Sequence, residues 1–193
     1  APLYASAAGN LLTNGSFESN VQASGTWSNY SSLIGWSASS QLGIELRNNV
    51  AGTASDGSNF VELDTTRNSW ISQTVTGLNI GQTYTLSFDY SNRSGVTVGS
   101  NGLDWSFGSL SGSAPALALN STGNNQWNAF SQNLVATSSS MTLTFTGAGT
   151  GDGLGTSLDH VQLMAAVPEP QTYALMFAGL MAVGFIARRR RAQ

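Results

Sequence analysis

Between residues 84 and 90 apolar and polar side chains alternate without a break: Tyr84, Leu86, Phe88 and Tyr90 interleave with Thr85, Ser87 and Asp89. A period of two puts one set on each face of an extended chain, so the segment predicts a half-buried strand. Met141, Leu143 and Phe145 alternate with Thr142, Thr144 and Thr146 in the same way. Shorter runs predict strands at 44–46, 59–63, 70–75, 103–107, 127–134 and 159–163. Glycine, asparagine and serine separate them, and no stretch before residue 170 carries a helical period. About eight or nine short strands joined by polar turns predict an all-β fold, a jelly-roll two-sheet antiparallel sandwich. At residues 77–84 a glycine-containing corner feeds the strand that opens on Tyr84, whose phenol is placed to bond back to that corner.

The pattern changes once. Pro168-Glu169-Pro170 breaks the chain, residues 173–187 are almost wholly apolar, and Arg188, Arg189, Arg190 and Arg191 follow. This predicts a single C-terminal hydrophobic helix. At about 1.5 Å per residue it lies near the lower limit for crossing a membrane, with the arginines snorkelling and staying on the cytoplasmic side. Everything before it is then outside. Ala174, Ala178 and Ala182 recur at four-residue spacing and give a smooth stripe for helix contact, which opens the alternative of a homo-oligomer or polymer built through the tail. The division is therefore residues 1–9 as a signal-peptide-proximal segment, 10–164 as the sandwich, 165–172 as a Pro-containing linker, 173–187 as the helix and 188–193 as an arginine-rich terminus. Ala5-Ser6-Ala7 fits an A-x-A cleavage site; either the leader is trimmed earlier than the motif suggests or the numbering begins inside it.

Composition narrows the chemistry. Only 9% of the 193 residues are charged, cysteine is absent, and all seven cations are arginines, four of them in the tail. Ahead of the tail nine carboxylates face Arg47, Arg67 and Arg93, a balance that excludes nucleic acid as a partner. With no thiol, no lysine, His160 as the only histidine and no G-x-S-x-G elbow, a nucleophile-plus-base set cannot be assembled, and the chain reads as no enzyme. Glu62 and Asp64 share a strand face; solvated strand residues or a turn cap is the expected role, and a glycosidase-like carboxylate pair is the rival. His160, one residue from Asp159, is expected on the opposite face, at the surface. The run of glycines at 147–155 is expected to be a flexible hairpin connection.

Two stretches resemble known families. The segment AVPEPQTYALMFAGLMAVGFIARRRRAQ resembles the PEP-CTERM sorting tail of Gram-negative bacteria that export polysaccharide and build biofilm matrix. That resemblance implies Pro168, Glu169 and Pro170 as the sorting motif, an exosortase-type processing enzyme as partner, and delivery across the inner membrane to the cell envelope, cell surface or extracellular matrix; the alternative is a plain C-terminal anchor. The opening NLLTNGSFE, with Gly35-Trp36 after it, resembles jelly-roll carbohydrate-binding modules and galactose-binding-like domains over residues 10–163. In those modules an acidic residue of the opening and an aspartate of the last strand commonly clasp a structural Ca2+, which falls here on Glu18 and Asp159. Alternation of Asp159 with Val161 and Leu163 also places it inward, where a carboxylate needs a cation or several donors.

Sugar binding needs exposed aromatic platforms. Trp36, Trp105 and Trp127 are expected in the core, whereas Trp70 faces outward with Ser72 and Thr74, and Trp27 and Tyr30 fall in a polar loop; these three are the candidate ligand-binding residues. The functional expectation is an exported, non-enzymatic surface or matrix protein. The alternatives are a self-assembling filament or sheath subunit and a module tethering exopolysaccharide.

Overall fold

A computed structural model describes residues 9–39, 41–166 and 180. The expectations for the tail helix, the sorting motif, Arg188 to Arg191 and the leader segment lie outside these residues. Gly9–Ala165 forms one compact unit.

Twelve strands run through it: β1 (Thr26–Tyr30), β2 (Ser32–Leu33), β3 (Trp36–Ala38), β4 (Ile44–Asn48), β5 (Asn59–Glu62), β6 (Trp70–Thr76), β7 (Thr83–Ser91), β8 (Leu103–Phe107), β9 (Leu110–Ser113), β10 (Asn128–Val135), β11 (Ser140–Gly147) and β12 (Ser157–Ala165). They form two six-stranded sheets, ordered β1-β4-β5-β12-β7-β10 and β2-β3-β6-β11-β8-β9, with every pairing antiparallel. We call these the first and second sheets. The architecture is the expected jelly-roll sandwich. β1, β2, β3 and β9 were not legible as strands, because runs of two to five residues rich in serine, asparagine and glycine carry too few apolar positions to show a period.

The alternating segments deliver their apolar sets to one shared core. Leu86, Phe88 and Tyr90 of β7 face Leu143 and Phe145 of β11 across the sandwich, joined by Trp36, Leu46, Val61, Phe107 and Leu163. Phe88 sits at the centre, stacked on Phe130 at 4.5 Å and edge-on to Phe145 at 5.0 Å. Each such side chain, fully withdrawn from water, contributes about 1.5–3 kcal/mol. At the corner the Asn79 N–H donates to the Tyr84 hydroxyl oxygen at 3.0 Å, the bond expected from the sequence.

The opening motif is a strap across β12. Asn10 Oδ1 accepts from the Leu12 and Leu163 N–H groups, its Nδ2 donates to the Val161 carbonyl, and the Val161 N–H donates to the Gly15 carbonyl. A Cβ on Gly15 would lie 2.0 Å from the Val161 oxygen, so the backbone approach requires glycine. Trp36 closes the strap from the other side by donating its indole N–H to the Asn14 carbonyl at 3.0 Å.

The residues 147–155 are not a hairpin. They carry the chain from β11 in the second sheet to β12 in the first, and they lie against the turn at residues 64–69 through a bond from Asn68 Nδ2 to the Gly149 carbonyl.

Candidate functional site

The outer face of the first sheet carries the acidic residues that the sequence singled out. Cross-strand register aligns Asn29, Glu45, Glu62 and Ser157 in one row and Trp27, Arg47 and Phe60 in the next. Glu62 and Asp64 do share this face, but they are 1% and 0% exposed, which overturns the expectation of solvated residues. Loops fold over them. Arg47 reaches Glu45 and Glu62, Arg93 reaches Glu62 at 3.0 Å, and the Gly155 N–H donates to Glu62 at 3.0 Å. Burial still dominates: it raises Glu45 above its ordinary value and pushes Glu62 up to about 7 despite both arginines. A carboxylate this enclosed is a structural counter-ion and cannot reach a polysaccharide.

Asp159 is fully buried, but not in the core. Leu158 pairs with core residue Val61, so its neighbour Asp159 stands on the outer face, opposite Asp89. Between Asp159 and Gln162 the register shifts, His160 adopts a left-handed conformation with φ 50°, and Val161 and Leu163 return to the core. This β-bulge breaks the alternation that had placed Asp159 inward. What buries Asp159 is the loop before β5. Its Oδ2 accepts from the Ser55 N–H at 2.7 Å and the Asp56 N–H at 2.9 Å, and its Oδ1 accepts from the His160 N–H at 2.7 Å. Burial pushes the group up to about 7, outweighing those three donors. Glu18 holds the far end of the same loop: Oε1 accepts from the Ser58 N–H at 2.8 Å and the Asn59 N–H at 2.6 Å.

The structure thus brings Glu18 and Asp159 to one loop. Carboxylate oxygens suit a hard cation, and an enclosed carboxylate with no arginine partner among the described residues is what such an ion would neutralise. Among the described residues no three histidine, aspartate or glutamate side chains converge as a metal cluster, so carbonyl and water oxygens would have to complete the shell.

His160 lies half-exposed, its Nδ1 3.3 Å from Asp89 and its Nε2 2.7 Å from Gln162 Nε2. Ser55 Oγ donates to the same Asp89 oxygen. Serine and histidine therefore share a carboxylate instead of bonding each other, and the contact that would activate a nucleophile is not made.

The three candidate aromatics do not meet. Trp27 is 52% exposed on β1, at the edge of the first sheet, and not in a loop. Tyr30, opposite Ile44, turns the other way, packs against the core and bonds Gln22, so it offers no free platform. Trp127, expected in the core, lies outside it: its ring meets Phe60 edge-on at 5.8 Å and its N–H donates to the Thr53 carbonyl. Trp36 and Trp105 are core residues as expected.

Trp70 stands on the outer face of the second sheet, 37% exposed, and this face is made of hydroxyls. Register aligns Ser32, Ser37, Ser72, Thr144, Ser106 and Ser111 across all six strands. Trp70, Thr146, Asp104 and Ser113 form the neighbouring row, and Thr74 and Thr142 bond each other at 2.9 Å beyond. Asp104 is the one charged side chain in these rows, and Ser113 Oγ donates to it at 2.6 Å. The period-two pattern of β6 and β11 foreshadowed the Thr and Ser positions; the row across six strands depends on register, which no single segment encodes.

Comparison with known proteins bears on both ends of the chain. Residues 166–191 match the PEP-CTERM protein-sorting motif. In fold the described sandwich is similar to a family 16 carbohydrate-binding module, with a TM-score of 0.53, 12% identity, and coverage of 80% of this chain and 99% of that one. It is also similar to a family 61 carbohydrate-binding module solved with β-1,4-galactotriose, with a TM-score of 0.51, 17% identity, and coverage of 81% and 99%. Among curated proteins, none matches in sequence. The chain is therefore a jelly-roll sandwich, similar in fold to carbohydrate-binding modules, that carries a PEP-CTERM protein-sorting motif at residues 166–191, which indicates export and sorting to the cell surface.

Proposed function

We propose that this is a non-enzymatic protein of the Gram-negative cell surface or biofilm matrix that holds a neutral polysaccharide on the outer face of its second sheet. The observation that carries this reading is the uncharged hydroxyl row beside the exposed Trp70 ring. Six strands at about 4.8 Å spacing make the row long in one direction, which suits an extended chain over a single sugar. Hydroxyls exchange hydrogen bonds with sugar hydroxyls, and an indole face packs against the C–H face of a pyranose. The folds of the two carbohydrate-binding modules support the reading by architecture alone. An exosortase-type enzyme acting at Pro168, Glu169 and Pro170 belongs to the same proposal.

Retardation of the full chain in gels containing the producer's exopolysaccharide tests it. Trp70→Ala should abolish retardation while leaving the circular dichroism unchanged, and Trp27→Ala should not. Equal retardation of the Trp70 variant and the parent, or no retardation of the parent, sinks the reading.

We further propose that Ca2+, held by Glu18, Asp159 and carbonyl oxygens of their shared loop, stabilises the fold. Chelation of a calcium-loaded sample should lower the Tm by several degrees, because a ligand of the native state adds stability by mass action. An unchanged Tm contradicts this.

A further inference from the structure

Asp64 is the acid that the charge network leaves over. Glu45 and Glu62 are matched by Arg47 and Arg93, yet among the described residues no cation pairs with Asp64, which is 0% exposed. It pairs across an isolated antiparallel bridge with Asn68, so the two side chains lie on the same side of the turn at residues 64–69. Each sends one atom to the glycine-rich loop: the Asp152 N–H donates to Asp64 Oδ2 at 3.0 Å, and Asn68 Nδ2 donates to the Gly149 carbonyl at 2.9 Å. In each the remaining oxygen, Oδ1, is buried without a hydrogen-bond partner. Two buried acceptors left unpaired on one side of a turn are costly, because each has lost its hydrogen bonds to water without gaining others.

We propose that the space between the turn at residues 64–69 and the loop at residues 147–155 binds a divalent cation of the calcium class, with Asp64 Oδ1 and Asn68 Oδ1 as its side-chain ligands. The donors are all oxygen, which selects a hard ion, and carbonyl and water oxygens complete its shell. A cation there gives both unpaired oxygens a partner.

The loop is built to close on this turn. A Cβ on Gly155 would lie 2.6 Å from Asp64 Cβ, and one on Gly151 would lie 3.1 Å from the Asn68 nitrogen. Ser100 Oγ donates to Asp152 Oδ2 at 2.7 Å and the Thr150 N–H donates to the Gly99 carbonyl at 2.9 Å, which ties the loop to residues 99–100 as well as to the turn. The site is separate from the loop held by Glu18 and Asp159, since the two share no residue.

Native mass spectrometry of the full chain, stripped with chelator and titrated with CaCl2, tests the assignment. Asn68→Ala should weaken one calcium site by roughly tenfold or more, and Asn68→Asp, which adds a ligand charge, should tighten it. Glu18→Gln should leave that site intact. Asp64→Asn should remove it, and should that variant fail to fold the two Asn68 variants decide. Calcium binding unchanged in both Asn68 variants, or calcium lost only in Glu18→Gln, overturns this proposal, the latter while upholding the Glu18–Asp159 reading. No calcium bound by the parent overturns both.

Discussion

Gly15 shows how much of the opening motif is packing. Its carbonyl receives the Val161 N–H, and the Val161 oxygen occupies the place where a Cβ would project, at 2.0 Å. Gly15→Ala has no flexible neighbour to displace, since the obstacle is backbone, and should cost about 2–4 kcal/mol by forcing the strap off β12. Urea denaturation of parent and variant measures this; a difference within about 0.5 kcal/mol would show that the strap moves freely. Asn14 and Phe17 add to the same turn by holding left-handed backbone conformations, φ 56° and 62°, with Phe17 fully buried. The motif that resembles carbohydrate-binding modules is thus mainly a device for closing the sandwich, and Glu18 joins in by accepting from the Ser58 and Asn59 N–H groups.

At the scale of elements, β4 and β5 hold opposite charges on a face that loops have sealed. Removing one partner of such a pair leaves the other uncompensated, so Arg47→Met should destabilise the fold by about 3–5 kcal/mol. The loss should depend on pH. Glu62 in the native state holds its proton up to about 7, well above the ordinary 4.5, because burial outweighs both arginines. Between those values the folded state binds a proton that the unfolded chain has released, so this contribution is present below about 4.5 and fades as pH rises through about 7. Without Arg47 the anion is costlier still, so the variant should recover more stability than the parent on moving from pH 8 to pH 5. Thermal unfolding at the two values checks the sign; a variant more stable at pH 8 than at pH 5 would place Glu62 in water.

At the scale of the molecule, the core of Gly9–Ala165 is complete in itself: both sheets, the strap and the aromatic centre lie within it. A chain ended at residue 165 should therefore unfold in one cooperative transition and sediment as a monomer. If the full chain assembles and the truncated chain does so at the same concentration, residues 166–193 have no role in a filament. Calorimetry and sedimentation velocity together decide both points.

The sequence by itself determined the class and the ends. Unbroken alternation in residues 84–90 and 141–146 fixes which side chains face inward, because a period of two survives any later choice of partner, and the Pro-Glu-Pro, apolar and arginine succession needs no fold to be recognised. The exposure of Trp70 followed from the same alternation. Tertiary structure decided the rest. Asp159 changed faces because one extra residue in β12 shifts the register, and a bulge leaves no mark in an alternating pattern. Glu62 and Asp64 became buried because loops from distant positions fold across an outer strand face that alternation alone assigns to water. The hydroxyl row and the Asp64–Asn68 pair arise only when strands and turns far apart in the chain are brought into register, a long-range choice set by packing of the whole core.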